Sequence, residues 1–149
     1  MGRRTLDELL REARAKIERF EAGDAWVAAA HEDTLIVDTR VDRSAGVVPG
    51  SLHVPLSVLQ WRVDPDSAWR NPHVGGLDAQ LILICDQGES SSLAAASLLE
   101  LGFTRVGDVV GGFEAWVAAG LPVAPAPPPA EGLPGMRGPL AWCRPISSR

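Results

Sequence analysis

The chain has 149 residues, of which 46% are hydrophobic and 22% charged, and it carries a formal net charge of −5 with a pI near 5.1. This length and composition predict one soluble globular domain, and the negative charge disfavours nucleic acid and anionic membranes as partners. Because no apolar run reaches the roughly 20 residues of a spanning helix, and two cysteines are too few for a disulfide framework, we expect a cytoplasmic protein.

The amino-terminal part of the chain has the pattern of an amphipathic helix over residues 5–22. Apolar residues recur there at helical spacing, at Leu6, Leu9, Leu10, Ala13, Ile17 and Phe20. Thr5 and Glu8 fit a capping box at the start of this helix. Asp24 is then placed to cap a second short helix over residues 25–30.

Short apolar runs alternate with helical patterns through the rest of the chain. Strands are predicted at residues 34–39, within 51–56, at 81–84 and at 105–110. Helices are predicted at residues 56–62, 91–101 and 113–119. This alternation predicts an α/β fold with a central, mostly parallel sheet flanked by helices on both faces. Proline and glycine dominate from Pro122 onward and predict a largely extended or disordered tail.

Cys85 lies between a predicted strand and a predicted helix, at the sheet edge where ligands of parallel α/β folds bind. Gly88 permits a tight path that lets the backbone N–H groups of the loop curl around the sulfur. These N–H groups and the helix start favour a thiolate over a thiol, so we expect a lowered pKa for Cys85. The alternative is an inert, buried cysteine, which this placement disfavours.

Four segments, in the same order along the chain, resemble the motifs of the rhodanese family. The loop "CDQGESSS" is similar to the family's Cys-x-x-Gly-x-Ser-Ser loop, and "LIVDTR" to its Asp-x-Arg strand end. The segment "GVVPGSLHVP" resembles its Gly-His-Ile-Pro-Gly-Ala motif, and "GGFEAWVAAGLPV" its closing Gly-Gly-x-x-x-Trp motif. The resemblance spans residues 34–123 and implies the rhodanese-like α/β fold.

The resemblance also implies a sulfurtransferase. Cys85 would take a sulfane sulfur from thiosulfate or a similar small donor, hold it as a persulfide, and pass it to a thiol or cyanide acceptor. It implies that the loop binds the substrate through Asp86, Gln87, Gly88, Glu89, Ser90 and Ser91. Asp38 and Arg40 would support the loop structurally. No cofactor is implied, and His31, His53 and His73 are scattered without metal-ligand spacing, so no metal is expected.

The resemblance divides the chain into three parts. We expect a helical extension at residues 1–30, a rhodanese-like domain at 31–124 and a Pro/Gly-rich tail at 125–149. The amino-terminal helix is expected to pack on the domain, with docking of a protein partner as the alternative. Cys143, in the tail, is interpreted as incidental, with a resolving thiol for Cys85 as the alternative.

The active-site loop departs from the family pattern in its charge. Asp86 and Glu89 are acidic, and Ser90 stands where many members carry arginine. Two carboxylates near the sulfur should repel thiosulfate, so we expect poor affinity for it unless they point outward. Val47 replaces the common histidine of the Gly-His-Ile-Pro-Gly motif, a change expected to affect packing more than chemistry.

Two other functions are alternatives to sulfur transfer. A phosphatase or arsenate reductase of the Cys-x5-Arg kind needs arginine six positions after the cysteine to grip the oxyanion, and that position is Ser91. A non-catalytic binding or redox-sensing module is the second alternative, which the acidic loop keeps open. A thiol that stays inert until alkaline pH would favour such a module.

Overall fold

A central parallel sheet organises the structure, a computed structural model that describes residues 2–127. Its strands are β1 (Glu18–Phe20), β2 (Thr34–Asp38), β3 (Leu52–His53), β4 (Gln80–Ile84) and β5 (Arg105–Val109). They lie in the order β1-β5-β4-β2-β3, and every neighbouring pair is parallel. The predicted α/β class with a parallel sheet is therefore confirmed, and the carboxyl ends of β2, β4 and β5 meet at one edge.

Five helices accompany the sheet in the described part of the chain. They are α1 (Leu6–Lys16), α2 (Ala22–Ala28), α3 (Leu59–Val63), α4 (Ser90–Glu100) and α5 (Gly112–Ala118), with a 3-10 turn at Leu56–Val58 before α3. The turn and α3 together occupy the single helix predicted at residues 56–62. The predicted strands and the helices α4 and α5 are confirmed to within one or two residues.

Alternating side chains of the central strands build two cores, one on each face of the sheet. On one face, Leu81 and Leu83 of β4 pack with helices α3 and α4. On the other face, Ile82 and Ile84 pack with helices α2 and α5. Because both faces are covered, the central strands are apolar at nearly every position, as is usual for parallel sheets.

The amino-terminal segment corrects the prediction of one helix over residues 5–22. The capping box is present, with the Glu8 N–H donating to Thr5 Oγ1 at 3.1 Å and Glu8 Oε1 accepting from the Thr5 N–H at 2.8 Å. The helix ends at Lys16, however, and residues 18–20 form β1 alongside β5. Pairing with Gly107 makes this possible, since a Cβ on that glycine would lie 2.2 Å from the Glu18 carbonyl oxygen.

The second predicted helix also differs in its bounds. Helix α2 begins at Ala22 rather than residue 25, so Asp24 lies in its first turn and does not cap it. Glu21 stands at the cap position in extended backbone without a side-chain cap hydrogen bond. Burial of Ala22 and Ala25 against the sheet supports this earlier start.

The amino-terminal extension packs on the rest of the protein, as predicted. Helix α1 lies against α4 and buries Leu10 and Ala13, while Leu6 and Leu9 stay exposed. The division into residues 1–30, 31–124 and 125–149 stays a prediction, although β1 adds the outermost strand of the sheet on that side.

The segment after α5 folds back on the domain before the described residues end. Ala124 pairs antiparallel with Val47, a buried residue, through hydrogen bonds of 2.8 and 2.9 Å. Residues 128–149 of the predicted tail, which include Cys143, lie outside the described residues. Within residues 2–127, no helix is both long enough and apolar enough to cross a membrane.

Trp116 anchors the core on the α5 face, and its removal should destabilise the fold. It is 0% exposed, donates its indole N–H to the Pro122 carbonyl at 2.8 Å, and packs edge-on against Trp26. We expect Trp116→Ala to lower the free energy of unfolding by about 3–5 kcal/mol, measured by urea denaturation. The matched control is Trp61→Ala, which removes a residue that is 57% exposed and should cost less than about 1 kcal/mol. Equal losses would contradict this assignment of the core.

Candidate active site

Cys85 directly follows β4, at the edge where the strands' carboxyl ends meet. The residue is 5% exposed, and its Sγ accepts hydrogen bonds from the Gly88 N–H at 3.1 Å and the Ser91 N–H at 3.4 Å. Ser91 lies in the first turn of α4, whose N–H groups have no partner within the helix. The structure thus places backbone donors of the loop and of the helix start around the sulfur.

Opposing effects act on the sulfur, and their balance favours the thiolate. Burial alone raises the pKa of the Cys85 thiol, but hydrogen bonds from the Ser91 and Ser90 hydroxyls and from the Ser91 and Gly88 N–H groups outweigh it and hold the pKa below its ordinary value. The Ser91 hydroxyl has one proton, however, and its Oγ also lies 2.8 Å from Asp108 Oδ2. The Ser91 hydroxyl is therefore shared with Asp108, whereas the Gly88 and Ser91 N–H groups donate to the sulfur.

The start of the loop is fixed by hydrogen bonds from α5 to its carbonyl groups. At the start of α5, the Phe113 N–H donates to the Cys85 carbonyl at 2.8 Å and the Glu114 N–H donates to the Asp86 carbonyl at 3.1 Å. The close packing of α5 against the loop needs glycine at position 112, because a Cβ added there would lie 2.5 Å from the Cys85 carbonyl oxygen. Gly112 also has a φ of +64°, which side chains with a Cβ rarely adopt.

Gly88 fits its position in two respects. Its φ is +85°, and an added Cβ would lie 2.6 Å from the Gly111 nitrogen. A larger residue would therefore push the loop away from α5 and move the N–H group that faces the sulfur. The predicted need for glycine at this point of the loop thus has a geometric basis.

A buried charged cluster supports the loop from beneath. Asp108 of β5 is 0% exposed; Arg19 Nε donates to its Oδ1 at 3.0 Å, and the Ser92 hydroxyl donates to its Oδ2 at 2.7 Å. The Gly88 carbonyl accepts from Arg14 Nη2 at 2.8 Å and from Arg19 Nη2 at 3.2 Å. These contacts therefore join four elements next to the active-site loop, namely the first turn of α4, strand β5, helix α1 and strand β1.

The predicted loop residues fall into two groups. Gly88 and Ser91 are buried against the sulfur, whereas Asp86, Gln87, Glu89 and Ser90 are exposed. Gln87 Nε2 donates to Glu114 Oε2 of α5 at 3.1 Å, so a third carboxylate lies beside the loop. The mouth of the site is thus acidic, while the sulfur itself is surrounded by donors.

Asp38 and Arg40 form the ion pair expected from the strand-end motif. Arg40 Nη2 lies 2.7 Å from Asp38 Oδ2, both residues are buried, and the guanidinium also donates to the Gly46 carbonyl at 2.9 Å. The same guanidinium stacks over the Phe113 ring at 3.8 Å. Phe113 in turn binds the Cys85 carbonyl, so the pair connects to the loop through α5.

Sequence reasoning missed the residues that act behind the loop. Arg14 and Arg19 fall within the amphipathic helix predicted over residues 5–22, and Asp108 falls within the strand predicted at residues 105–110. For Asp108 a signal was available, since a carboxylate within a strand that is apolar on both sides needs a buried partner. For the arginines no local signal exists, because their partners lie 69 to 89 residues away in the chain.

Known proteins resemble this chain over most of the described residues. The model of the rhodanese-like domain matches residues 22–119. A thiosulfate sulfurtransferase, GlpE, of Glaesserella parasuis is 34% identical over 66% of this chain and 85% of its own, and a sulfurtransferase of Allochromatium vinosum is 30% identical over 62% and 79%. A solved Rhodopseudomonas palustris structure, described as a possible tyrosine phosphatase of unknown function, is 30% identical over 83% of this chain and 96% of its own, with a TM-score of 0.68.

Gly112→Ala should move the loop and so raise the pKa of Cys85. In a Cys143→Ser background Cys85 is the sole thiol, and the chain contains no tyrosine, so the ultraviolet absorbance of the thiolate reports its titration directly. We expect the Gly112→Ala midpoint to lie at higher pH than that of the parent. The free energy of unfolding should also fall, by at least about 1–2 kcal/mol for the left-handed backbone.

Gly120→Ala is the matched control for this substitution. Gly120 has a similar φ of +73°, but an added Cβ would meet nothing within 4 Å. It should lose stability through backbone strain while leaving the Cys85 titration unchanged. If the parent, Gly112→Ala and Gly120→Ala have the same midpoint in the Cys85 titration, contact between α5 and the loop does not set the pKa of the thiol.

Proposed function

The chain belongs to the rhodanese-like domain family, and on that premise we propose that it is a sulfurtransferase with Cys85 as the sulfur carrier. The observation that carries the proposal is the arrangement of the Gly88 and Ser91 N–H groups on a nearly buried cysteine sulfur. Sulfurtransferase activity of relatives at about 30% identity supports it further. The thiolate is the nucleophile that this reaction class requires.

In the first half-reaction, the Cys85 thiolate attacks the outer sulfur of thiosulfate. A bond forms between the two sulfurs, the sulfur–sulfur bond within thiosulfate breaks, and sulfite leaves with the electron pair. The negative charge then resides on the terminal sulfur of the Cys85 persulfide. The same loop N–H groups that stabilise the thiolate suit this anion.

In the second half-reaction, a thiophilic acceptor removes the terminal sulfur. Cyanide attacks that sulfur through carbon, thiocyanate leaves, and the electron pair of the broken sulfur–sulfur bond returns to Cys85 as the thiolate. A thiolate acceptor would react in the same way and depart as a persulfide. The thiolate is the reacting form of Cys85, and the loop donors favour it by lowering the pKa of the thiol.

The remaining site residues have supporting roles in this proposal. Gly88, Ser90 and Ser91 supply donors to the sulfur, while Asp86, Gln87 and Glu89 form the mouth through which the donor enters. Asp38 and Arg40 keep α5 against the loop through the contact between Arg40 and Phe113. We further propose a reducing, cytoplasmic setting, in which a free thiolate persists.

Two other functions are alternatives to sulfur transfer in this proposal. A phosphatase is suggested by the description of one similar structure, but Ser91 occupies the position at which a phosphate-binding loop carries arginine. A non-catalytic binding or redox-sensing module is suggested by the acidic mouth of the site. Docking of a partner protein on α1, with Leu6 and Leu9 exposed, remains a prediction that fits either an enzyme or a module.

Cys85→Ser should abolish sulfur transfer, since a serine hydroxyl is not ionised at neutral pH. The measurement is thiocyanate formation from thiosulfate and cyanide, with para-nitrophenyl phosphate hydrolysis followed in parallel. Cys143→Ser is the matched control and should retain the parent's activity. We expect thiocyanate from the parent and control proteins, and none from Cys85→Ser.

Other outcomes separate the alternatives. Thiocyanate formation that survives in Cys85→Ser would overturn the carrier role. Phosphate release that depends on Cys85, without sulfur transfer from thiosulfate, mercaptopyruvate or a persulfide, would favour the phosphatase. If neither activity is found and Cys85 resists alkylation until alkaline pH, the binding-module alternative would replace the enzyme.

The acidic mouth should weaken the use of thiosulfate, a dianion. The two exposed carboxylates of Asp86 and Glu89, partly screened by salt, would repel this dianion by about 1 kcal/mol in total. We expect the double variant Asp86→Asn, Glu89→Gln to raise kcat/KM for thiosulfate by about three- to tenfold. The gain should shrink as ionic strength rises, because salt screens the same repulsion.

The control for this charge effect is the double variant Asp24→Asn, Glu32→Gln. It changes the net charge equally, but Asp24 and Glu32 lie near the amino end of β2, at the opposite edge of the sheet from Cys85. Its kcat/KM should match that of the parent. If both double variants gain equally, overall charge and not the mouth of the site controls thiosulfate use.

A further inference from the structure

The Gly88 carbonyl is held by two arginines that come from outside the matched domain. Arg14 Nη2 and Arg19 Nη2 donate to this oxygen at 2.8 and 3.2 Å. Both residues precede residue 22, where the match to the rhodanese-like domain begins. The Arg14 contact has the length of a strong charge-assisted hydrogen bond, the Arg19 contact is longer, and both converge on one backbone atom.

The backbone at Gly88 needs such a restraint. Gly88 has a φ of +85°, and glycine adopts positive and negative φ with similar ease, so its N–H group and its carbonyl group can turn relative to one another at low cost. Such a rotation would move the Gly88 carbonyl away from the arginines or the Gly88 N–H group away from the sulfur. A carbonyl dipole aimed at a thiolate repels it, whereas an N–H group stabilises it. Binding of the oxygen on the outer side therefore selects the arrangement that favours the anion.

The two arginines also fix neighbouring groups of the site. Arg14 Nε donates to the Ser92 Oγ at 3.0 Å, and the Ser92 hydroxyl donates its proton to Asp108 Oδ2. Arg19 binds both carboxylate oxygens of Asp108, at 3.0 and 3.3 Å. The first turn of α4, which supplies the Ser91 N–H to the sulfur, is thereby tied to the same arginines.

We infer that Arg14 and Arg19 are positioning residues of the Cys85 site, which hold the Gly88 carbonyl outward and so keep the loop in its anion-stabilising conformation. This inference deepens the proposed sulfurtransferase function and rests on it for the kinetic consequence alone. It assigns residues 6–20 to the site and not only to the outer surface of the fold. Neither arginine touches the sulfur, so neither is a catalytic residue.

Several charged groups surround the loop and bear on the titration of Cys85. They are Arg14 from α1, Arg19 from β1, Arg40 after β2, Asp108 from β5, Glu114 from α5, and Asp86 and Glu89 of the loop itself. Removing a cation alone would also raise the thiol pKa by Coulomb's law. The test must therefore distinguish loss of charge from loss of geometry.

Arg14 is a better residue to substitute than Arg19. Its acceptors are a backbone carbonyl and a hydroxyl, so its removal does not deprive a buried carboxylate of its charged partner. In the Cys143→Ser background, we expect Arg14→Gln to move the titration midpoint of Cys85 to higher pH by about half a unit or more. At a pH where the thiol is mostly protonated, this shift corresponds to a roughly threefold loss of thiolate. Arg14→Lys keeps the charge but cannot reach both acceptors, so it should shift partway. Arg11→Gln, an exposed arginine of the same helix, should not shift.

Kinetics give a second readout that a purely structural role would not produce. Sulfur transfer by Arg14→Gln should be lowered near neutral pH and recover at alkaline pH, where the thiolate forms regardless. The double variant Arg19→Gln, Asp108→Asn removes the buried ion pair as a unit and should shift the titration in the same direction. Thermal unfolding followed by circular dichroism checks that each variant is folded.

Several outcomes would overturn the inference. If Arg14→Gln keeps the parent's titration midpoint, as Arg11→Gln should, Arg14 does not act on the thiolate. Equal shifts in both, or full retention of the parent's midpoint by Arg14→Lys, would indicate charge alone and not positioning. Absence of sulfur transfer in the parent protein would refute the proposed function. It would not affect the test of Arg14 and Arg19, because the titration of Cys85 needs no substrate.

Discussion

The outward orientation of the loop carbonyls is the constraint on which the Cys85 site depends. The Cys85 and Asp86 oxygens are bound by the first N–H groups of α5, and the Gly88 oxygen by two arginines. The N–H groups on the sulfur are those of Gly88 and Ser91, which belong to other peptide groups than these three oxygens, so the outer donors act by fixing the course of the loop. The Cys85, Asp86 and Gly88 oxygens are thus occupied by donors other than the Gly88 and Ser91 N–H groups, which contact the sulfur.

This constraint draws on elements that are far apart in the chain. Strand β4 delivers the cysteine to the edge of the sheet, and α4 supplies one N–H group. Helix α5 and the segment from α1 to β1 bind the loop from two sides. Buried charges join these elements, since Asp108 is satisfied by Arg19 and by serines of α4. A buried carboxylate with this many donors specifies how the elements meet, in addition to any stability it adds.

Local patterns predicted much of this arrangement, and long-range contacts account for what they missed. The placement of Cys85 and the role of Gly88 follow from a strand, a glycine and a helix start, which are local features. The end of α1 does not, because residues 17–20 have helical spacing of apolar residues and become a strand only through pairing with β5. The close approach at Gly107 decides this, and it is a property of a residue about 90 positions later. The exposure of Asp86 and Glu89 likewise depends on how α5 packs.

The two outermost strands of the sheet bear on how the protein behaves at high concentration. Strand β1 has three residues and β3 has two, so each offers few unpaired backbone groups on its open side. Long, flat edge strands recruit further strands from other molecules and promote aggregation. The β1 segment covers β5, a strand of five residues, and replaces a five-residue edge with a three-residue one. Residues 18–20 therefore also protect the parallel sheet from edge-to-edge association between molecules.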